Sequence, residues 1–164
     1  MRIGILSDVH NHRDNLSAAL QILKREVVRT VLFCGDLTDA DLVPLFDGLE
    51  VHFVEGNVDP DAASMARAVE RLGNRSTFGL EYDAALDGRR IAVLHGHLTD
   101  RLIEVIHGGL CDYVIHGHTH RRRDERLGRT RVINPGALGG KREQSRSFAI
   151  LDSATDQLRV IEID

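Results

Sequence analysis

Ile3-Gly4-Ile5-Leu6-Ser7-Asp8-Val9-His10 opens the chain with a short apolar run and then, with no turn residue between, an Asp and a His two positions apart. A continuous apolar run of this kind is what a strand buried on both faces requires. An aspartate and a histidine at its end need partners, because a buried unpaired charge is costly. The same arrangement recurs down the chain. Thr30-Val31-Leu32-Phe33-Cys34 runs into Gly35-Asp36, and Val51-His52-Phe53-Val54 runs into Gly56-Asn57-Val58-Asp59. Arg90-Ile91-Ala92-Val93-Leu94 runs into His95-Gly96-His97, and Tyr113-Val114-Ile115 into Gly117-His118-Thr119-His120. Strand ends on one edge of a sheet bring such distant residues together.

The segments between the runs fix the class. Leu16, Ala19, Leu20 and Leu23 recur at helical spacing after Asp14, a candidate N-cap. Asp41 to Phe46 reads as a short helix. Pro60 is expected to open a helix that turns Ala63, Met65, Ala66, Val69 and Leu72 inward and stops at Gly73. This βαβαβα order implies parallel strands with helices on the faces. Beyond about residue 76 strands dominate. Asp87-Gly88 signals a hairpin, a helix is expected from about Asp100 to His107 before Gly108-Gly109, and the rest alternates strands and turns. The change of texture predicts two sheets within one domain spanning 1–164.

Composition sets limits on function. A chain of 164 residues is the size of one domain and can bury a real core. A net charge of −4, no Trp and 4% aromatic residues offer neither the basic groove nor the stacking platform of a nucleic-acid binder. No apolar run is long enough to span a bilayer. Cys34 and Cys111 lie in apolar surroundings without a CxxC pair, so two buried thiols are expected. With no signal peptide ahead of the first strand, the expected location is the cytoplasm.

The polar strand ends suggest metal chemistry. A carboxylate with an imidazole suits Zn, Mn or Fe better than Ca or Mg, which prefer all-oxygen sites. Asp36 carries two oxygens and fits between two cations, with Gly35 allowing close backbone approach. Asn57 supplies a neutral carbonyl oxygen, and His95, His118 and His120 supply imidazoles.

Taken in order, D-x-H, GD, GN-x-D, HGH and GHTH resemble the motifs of the calcineurin-like metallophosphoesterases across the whole chain. The compact length and Asn134-Pro135-Gly136 resemble their small prokaryotic phosphodiesterase subgroup. The resemblance implies an α/β/β/α sandwich: two packed mixed sheets with flanking helices and metals at the sheet ends. It implies that Asp8, His10 and His120 hold one divalent ion and Asn57, His95 and His118 the other, with Asp36 bridging. The ions implied are transition metals, manganese foremost, with Ni, Fe, Co or Zn as alternatives. Two ions ~3.5–4 Å apart share a water and lower its pKa. The reaction implied is hydrolysis of a small phosphate ester, foremost a diester, by a hydroxide bridging the metals.

Val58 departs from the pattern. Many relatives carry a histidine there, which protonates the leaving group, and valine cannot. His97 and His12, each two residues beyond a proposed ligand, are the candidate acids. Asn57 is a candidate hydrogen-bond donor to the phosphate, and Arg13 a candidate substrate contact. Asp59 either orients Asn57 or a histidine, or caps the helix at Pro60. Arg121-Arg122-Arg123 reads first as a solvated strand start and second as an attractant for phosphate. The competing function is a non-catalytic protein-binding scaffold of the same fold, such as the retromer subunit. All seven ligand positions are filled here, and a scaffold need not keep them. Relatives often self-associate, which makes a homo-oligomer the other partner that the resemblance implies.

Overall fold

The computed structural model describes residues 1–163. The first sheet is built from β1 (Arg2–Leu6), β2 (Thr30–Phe33), β3 (Glu50–Val54), β4 (Thr77–Gly79), β10 (Arg146–Asp152) and β11 (Gln157–Ile163), in the order β11-β10-β1-β2-β3-β4. The second contains β5 (Glu81–Leu86), β6 (Arg89–Leu94), β7 (Tyr113–Ile115), β8 (Arg123–Leu127) and β9 (Thr130–Asn134), in the order β5-β6-β7-β9-β8. β1 to β4 run parallel, as do β6, β7 and β9. β10 returns antiparallel to β1, pairing Arg2 with Asp152 and Ile5 with Ala149, so the two ends of the chain share one sheet.

The apolar runs divide by their period of two. Ile3 and Ile5 of β1 pack between the sheets with Ile91 and Val93 of β6, Ile115, Ile133 and Leu151. Leu6 and Phe33 face the other way, onto α1 (Arg13–Arg25) and α2 (Ala62–Glu70). Ala92, Leu94 and Val114 face α3 (Thr99–Gly108) across Leu102 and Ile106. Helices, sheet, sheet and helix make the four-layer α/β/β/α sandwich. Phe33, Phe46 and Phe53 cluster on the outer side of the first sheet, with centroids 5.0–5.8 Å apart, Phe46 meeting both others edge to face. Such pairs contribute about 0.5–1.5 kcal/mol each beyond their burial.

Local differences from expectation have local causes. His12, not Asp14, takes the N-cap position of α1, and its side chain makes no capping bond. Residues 40–46 form a 3₁₀ segment around Pro44, capped by Asp39. α2 starts two residues past Pro60 because Asp61 accepts from the Ser64 N–H. The hairpin at Asp87-Gly88 and the stop at Gly109, which takes a left-handed conformation, match expectation. Cys34 and Cys111 are buried and free. Among the described residues, no helix is long and apolar enough to cross a membrane.

His52 on β3 ties the sheets together. It stacks on Tyr82 of β5 at 4.1 Å and bonds Thr77 of β4 through Nδ1 at 2.9 Å. Burial lowers its pKa; Glu50 opposes this and Arg75 adds to it. The folded imidazole therefore binds its proton less readily than the unfolded one. Its contribution to stability is complete above the unfolded pKa of ~6.5 and falls away as the pH drops below it. His52→Phe keeps a ring on Tyr82 and is expected to flatten the decline in urea midpoint between about pH 7 and about pH 5. An unchanged decline would show that His52 does not titrate in this way.

Candidate metal centre

The C-terminal ends of β1, β2, β3, β6 and β7 lie along one edge of the sandwich, and the proposed ligands are on the loops that leave them. Backbone bonds tie those loops together. The Asp8 N–H donates to Gly35 O, the His10 N–H to Asp36 O, and the Gly117 N–H to His95 O. Turning so sharply requires left-handed backbone. Asp8, His10, Asp36, His118 and His120 all have φ between 47° and 65°. Such conformations are uncommon outside glycine and concentrate at functional sites.

Two groups of donor atoms converge, each within 4.8 Å: Asp8, His10 and His120, and Asp8, Asp36 and His95. His10 Nε2 lies 3.1 Å from His120 Nε2, and His120 Nε2 lies 3.2 Å from Asp8 Oδ1. Asp36 Oδ2 is 3.3 Å from His95 Nε2 and 3.6 Å from His10 Nε2, so one oxygen faces both groups. Asn57 enters through Oδ1, 3.1 Å from His95 Nε2. The His118 ring packs edge-on against His95 at 5.1 Å and joins neither group, while its backbone N–H donates to Asp8 Oδ2. The sequence suggested Asp36 as the shared carboxylate; in the structure Asp8 is shared as well.

These donors fit divalent transition ions. His95 Nδ1–H donates to Cys34 O at 2.7 Å and His120 Nδ1–H to Lys141 O at 2.6 Å. Each ring, when neutral, then turns an Nε2 lone pair toward the carboxylates, as metal-binding histidines do. Asp8 Oδ1 is buried and makes no hydrogen bond, which is costly unless a cation balances it. Ligand atoms ~2.1 Å from a common ion lie ~3.0–3.4 Å apart, close to several of the separations above.

Electrostatics within the cluster are strongly coupled. Burial would raise the Asp8 pKa, but the nearby His10 and His120 rings and the Ser7 hydroxyl, which donates to Oδ2, outweigh it and hold the carboxyl far below the usual range. For Asp36 burial is likewise outweighed, chiefly by His95, and its pKa falls. His95 is the counterpart: burial opposes its charge, yet Asp36 and Asp8 raise its pKa. Asp8 raises that of His120 despite burial. Burial and the nearby His95 lower that of His118.

Of the candidate acids, His97 lies beside the cluster. Its ring is 5.4 Å from His95 and 6.3 Å from His118, and its Nδ1 is buried without a partner. His12 and Arg13 sit at the exposed start of α1. Val58 is 47% exposed, and its N–H donates to Asp36 Oδ1.

Several supporting contacts escaped the sequence. Asp59 neither caps a helix nor bonds Asn57; its carboxylate accepts from the N–H groups of Asp36, Thr38 and Gly56. Asn134 holds the 117–119 loop through Gly117 O and Thr119 Oγ1. Its place at the end of an apolar run, β9, was the available signal. Gly140 lies against the site: a Cβ there would sit 2.6 Å from His10 Cδ2 and 2.7 Å from His120 Cε1.

Comparison with known proteins agrees with this geometry. Residues 1–156 match the calcineurin-like phosphoesterase superfamily domain. A phosphodiesterase of Methanocaldococcus jannaschii is 31% identical over the full length of both chains. The solved structure of an archaeal phosphodiesterase superposes with a TM-score of 0.94 at 31% identity, covering 99% of this chain and 100% of that one. Vps29 of Entamoeba histolytica shares the fold over the whole of both chains, with a TM-score of 0.73 at 20% identity. With its strand ends, donor set and full-length likeness in agreement, the chain belongs to the calcineurin-like phosphoesterase superfamily.

Proposed function

We propose that the protein is a phosphodiesterase that hydrolyses small phosphate esters with two divalent transition-metal ions, manganese foremost. The observation that carries the binuclear reading is Asp36 Oδ2, which one carboxylate arm directs at His95 Nε2 and His10 Nε2 together. The full-length likeness to a phosphodiesterase supports the diester preference.

Asp8, His10 and His120 would hold one ion, Asn57, His95 and His118 the other, and Asp36 both. Bound ions supply Lewis acidity, which lowers the pKa of water and offsets charge on the phosphoryl oxygens. The chain's own groups do the rest. Cys34 O and Lys141 O hold the His95 and His120 rings in the tautomer that frees Nε2. Asp59 anchors the backbone of Asp36 and Gly56, so the carboxylate and the Asn57 loop keep their spacing. Asn57 is exposed, and its amide is placed to donate to a phosphoryl oxygen. His97 lies near enough to His95 and His118 to deliver a proton to the departing alkoxide. Two free thiols accord with a reducing cytoplasm.

Elemental analysis of protein purified without chelator, then reconstituted with Mn, Ni, Co, Fe or Zn, tests this. Two ions per chain, and faster hydrolysis of bis(p-nitrophenyl) phosphate than of p-nitrophenyl phosphate, are expected. A stoichiometry of one contradicts the binuclear reading, and a faster monoester contradicts the diester preference. An intact fold that binds no metal and hydrolyses neither ester would favour the scaffold reading.

His97→Ala tests the proposed acid. A positioned acid contributes ~10²–10⁴-fold, so kcat/KM on an alkyl diester should fall at least ~10²-fold. On bis(p-nitrophenyl) phosphate, whose leaving group needs no proton, the change should stay within about twofold. An equal loss on both esters would take the acid's role from His97.

A further inference from the structure

A cleft of about 600 Å³ opens beside the metal centre. Its walls carry Arg121, Arg122, Arg123, Lys141 and Arg142, against the single carboxylate of Glu143. The protein as a whole has a net charge of −4, so this concentration of cations runs against the general balance. Three of the five have carboxylate partners: Arg121 with Glu143, Arg122 with Glu162 and Arg123 with Glu125. Exposed pairs of this kind contribute little, so a ligand can recruit those guanidiniums. Lys141 and Arg142 have no acidic partner within 4 Å among the described residues. Arg142 is half-buried; Nη1 donates to Gly140 O, and Nε is buried without a partner.

The cleft is joined to the metal centre through the backbone. Lys141 O accepts from His120 Nδ1, while the Lys141 side chain lines the cleft. Arg121 directly follows His120, so the last ligand and the first cation are neighbours along the chain. His116 forms part of the lining; it is buried, and its Nε2 lacks a partner. Resting on the hydrolytic function proposed above, we infer that this cleft is a subsite for a second phosphate group, so that the preferred substrate is a small diester carrying a further phosphate monoester. Guanidinium forks match phosphate oxygens in pairs, and a dianion balances a cluster of cations better than a monoanion does. The closeness of Arg121 and Lys141 to His120 calls for a short spacing between the two phosphates, such as one pentose spans. A long polyanion is disfavoured by the overall negative charge.

The test uses two esters that differ by one phosphate: thymidine 5′-(p-nitrophenyl phosphate) and the same compound phosphorylated at the 3′-oxygen. The 3′-phosphorylated ester should be hydrolysed with a kcat/KM at least ~10-fold higher in dilute salt, and the preference should shrink as salt screens it. In Lys141→Gln/Arg121→Gln the ratio of the two values should fall toward one. The ratio is the readout, so a general loss of activity cancels. Calorimetry on metal-free protein supplies a second measurement. Thymidine 3′,5′-bisphosphate should bind at least ~10-fold more tightly than thymidine 5′-monophosphate, and the double variant should lose the difference. If both esters are hydrolysed equally and both nucleotides bind equally, the subsite is refuted and the hydrolytic function stands. If neither ester is hydrolysed but the bisphosphate still binds preferentially through Lys141 and Arg121, the subsite stands and the hydrolytic function falls.

Discussion

Asp36→Asn is expected to lower kcat/KM by at least ~10³-fold and to bring bound metal below two ions per chain. The substitution keeps the size of the side chain and an oxygen able to accept from the Val58 N–H. What it removes is the charge on Oδ2, which faces His10 and His95 at once. A neutral amide cannot balance two cations as a carboxylate does, and an amide nitrogen turned toward them is no ligand. His95 loses a partner too, because Asp36 is the first of the groups that raise its pKa against burial. Elemental analysis and steady-state kinetics on reconstituted protein give the result. Retention of two ions per chain with near wild-type rate would remove Asp36 from between the metals.

Gly56→Ala is expected to destabilise the protein by about 3 kcal/mol and to abolish activity, though the residue touches no substrate. A Cβ at Gly56 would lie 2.1 Å from Asp36 Oδ1 and 2.3 Å from Asp36 N. Neither atom can retreat cheaply. The Asp59 carboxylate accepts from both the Asp36 and the Gly56 N–H, at 3.0 and 2.7 Å, and locks the two loops against each other. The methyl must therefore break that clamp or push Asp36 out of the cluster. Gly108→Ala is the control, since a Cβ there meets nothing within 4 Å at the end of α3, and a change within about 0.5 kcal/mol is expected. Chemical denaturation of metal-free protein separates the two. A Gly56→Ala variant as stable and active as the control would mean that the loops give way easily.

The central strands β1, β2, β3, β6 and β7 were legible because each is a short apolar run largely buried on both faces, ended by polar residues that stability alone does not explain. Ile3 and Ile5 against Gly4 and Leu6 already hold the division between layers. β4 was missed because Thr77-Phe78-Gly79 is too short to show a period. At the site, residue types were readable and backbone was not. The left-handed conformations of Asp8, His10, Asp36, His118 and His120 are only weakly signalled by side chains that tolerate them better than most, and the loops packed around them explain their persistence. The bonds from Cys34 O and Lys141 O to the histidine rings join residues 61 and 21 positions apart through backbone atoms, which every residue possesses. Asp59 was read as orienting Asn57 or a histidine, or as a cap before Pro60; its partners are instead backbone N–H groups, on the Asp36 loop and at Gly56, which no side chain announces. Arg121-Arg122-Arg123 looked like a solvated strand start because Lys141 and Arg142 join it only when the 139–142 loop folds over.

The pairing of β1 with β10 has a consequence for the order of events in the cell. Asp8 and His10 come far ahead of β10 along the chain, yet one flank of β1 is closed by Ala149 to Asp152, and the Leu138 and Gly139 N–H groups cap the Ser7 and Asp8 carbonyls. At ~5–20 residues per second, on the order of ten seconds of synthesis separate these two side chains from the strand that seats them. For that interval the nascent chain carries the donors without the frame that spaces them. Assembly of the cluster is thereby delayed until β10 has been made, and a chain stalled short of β10 would expose the edge of its central strand to aggregation.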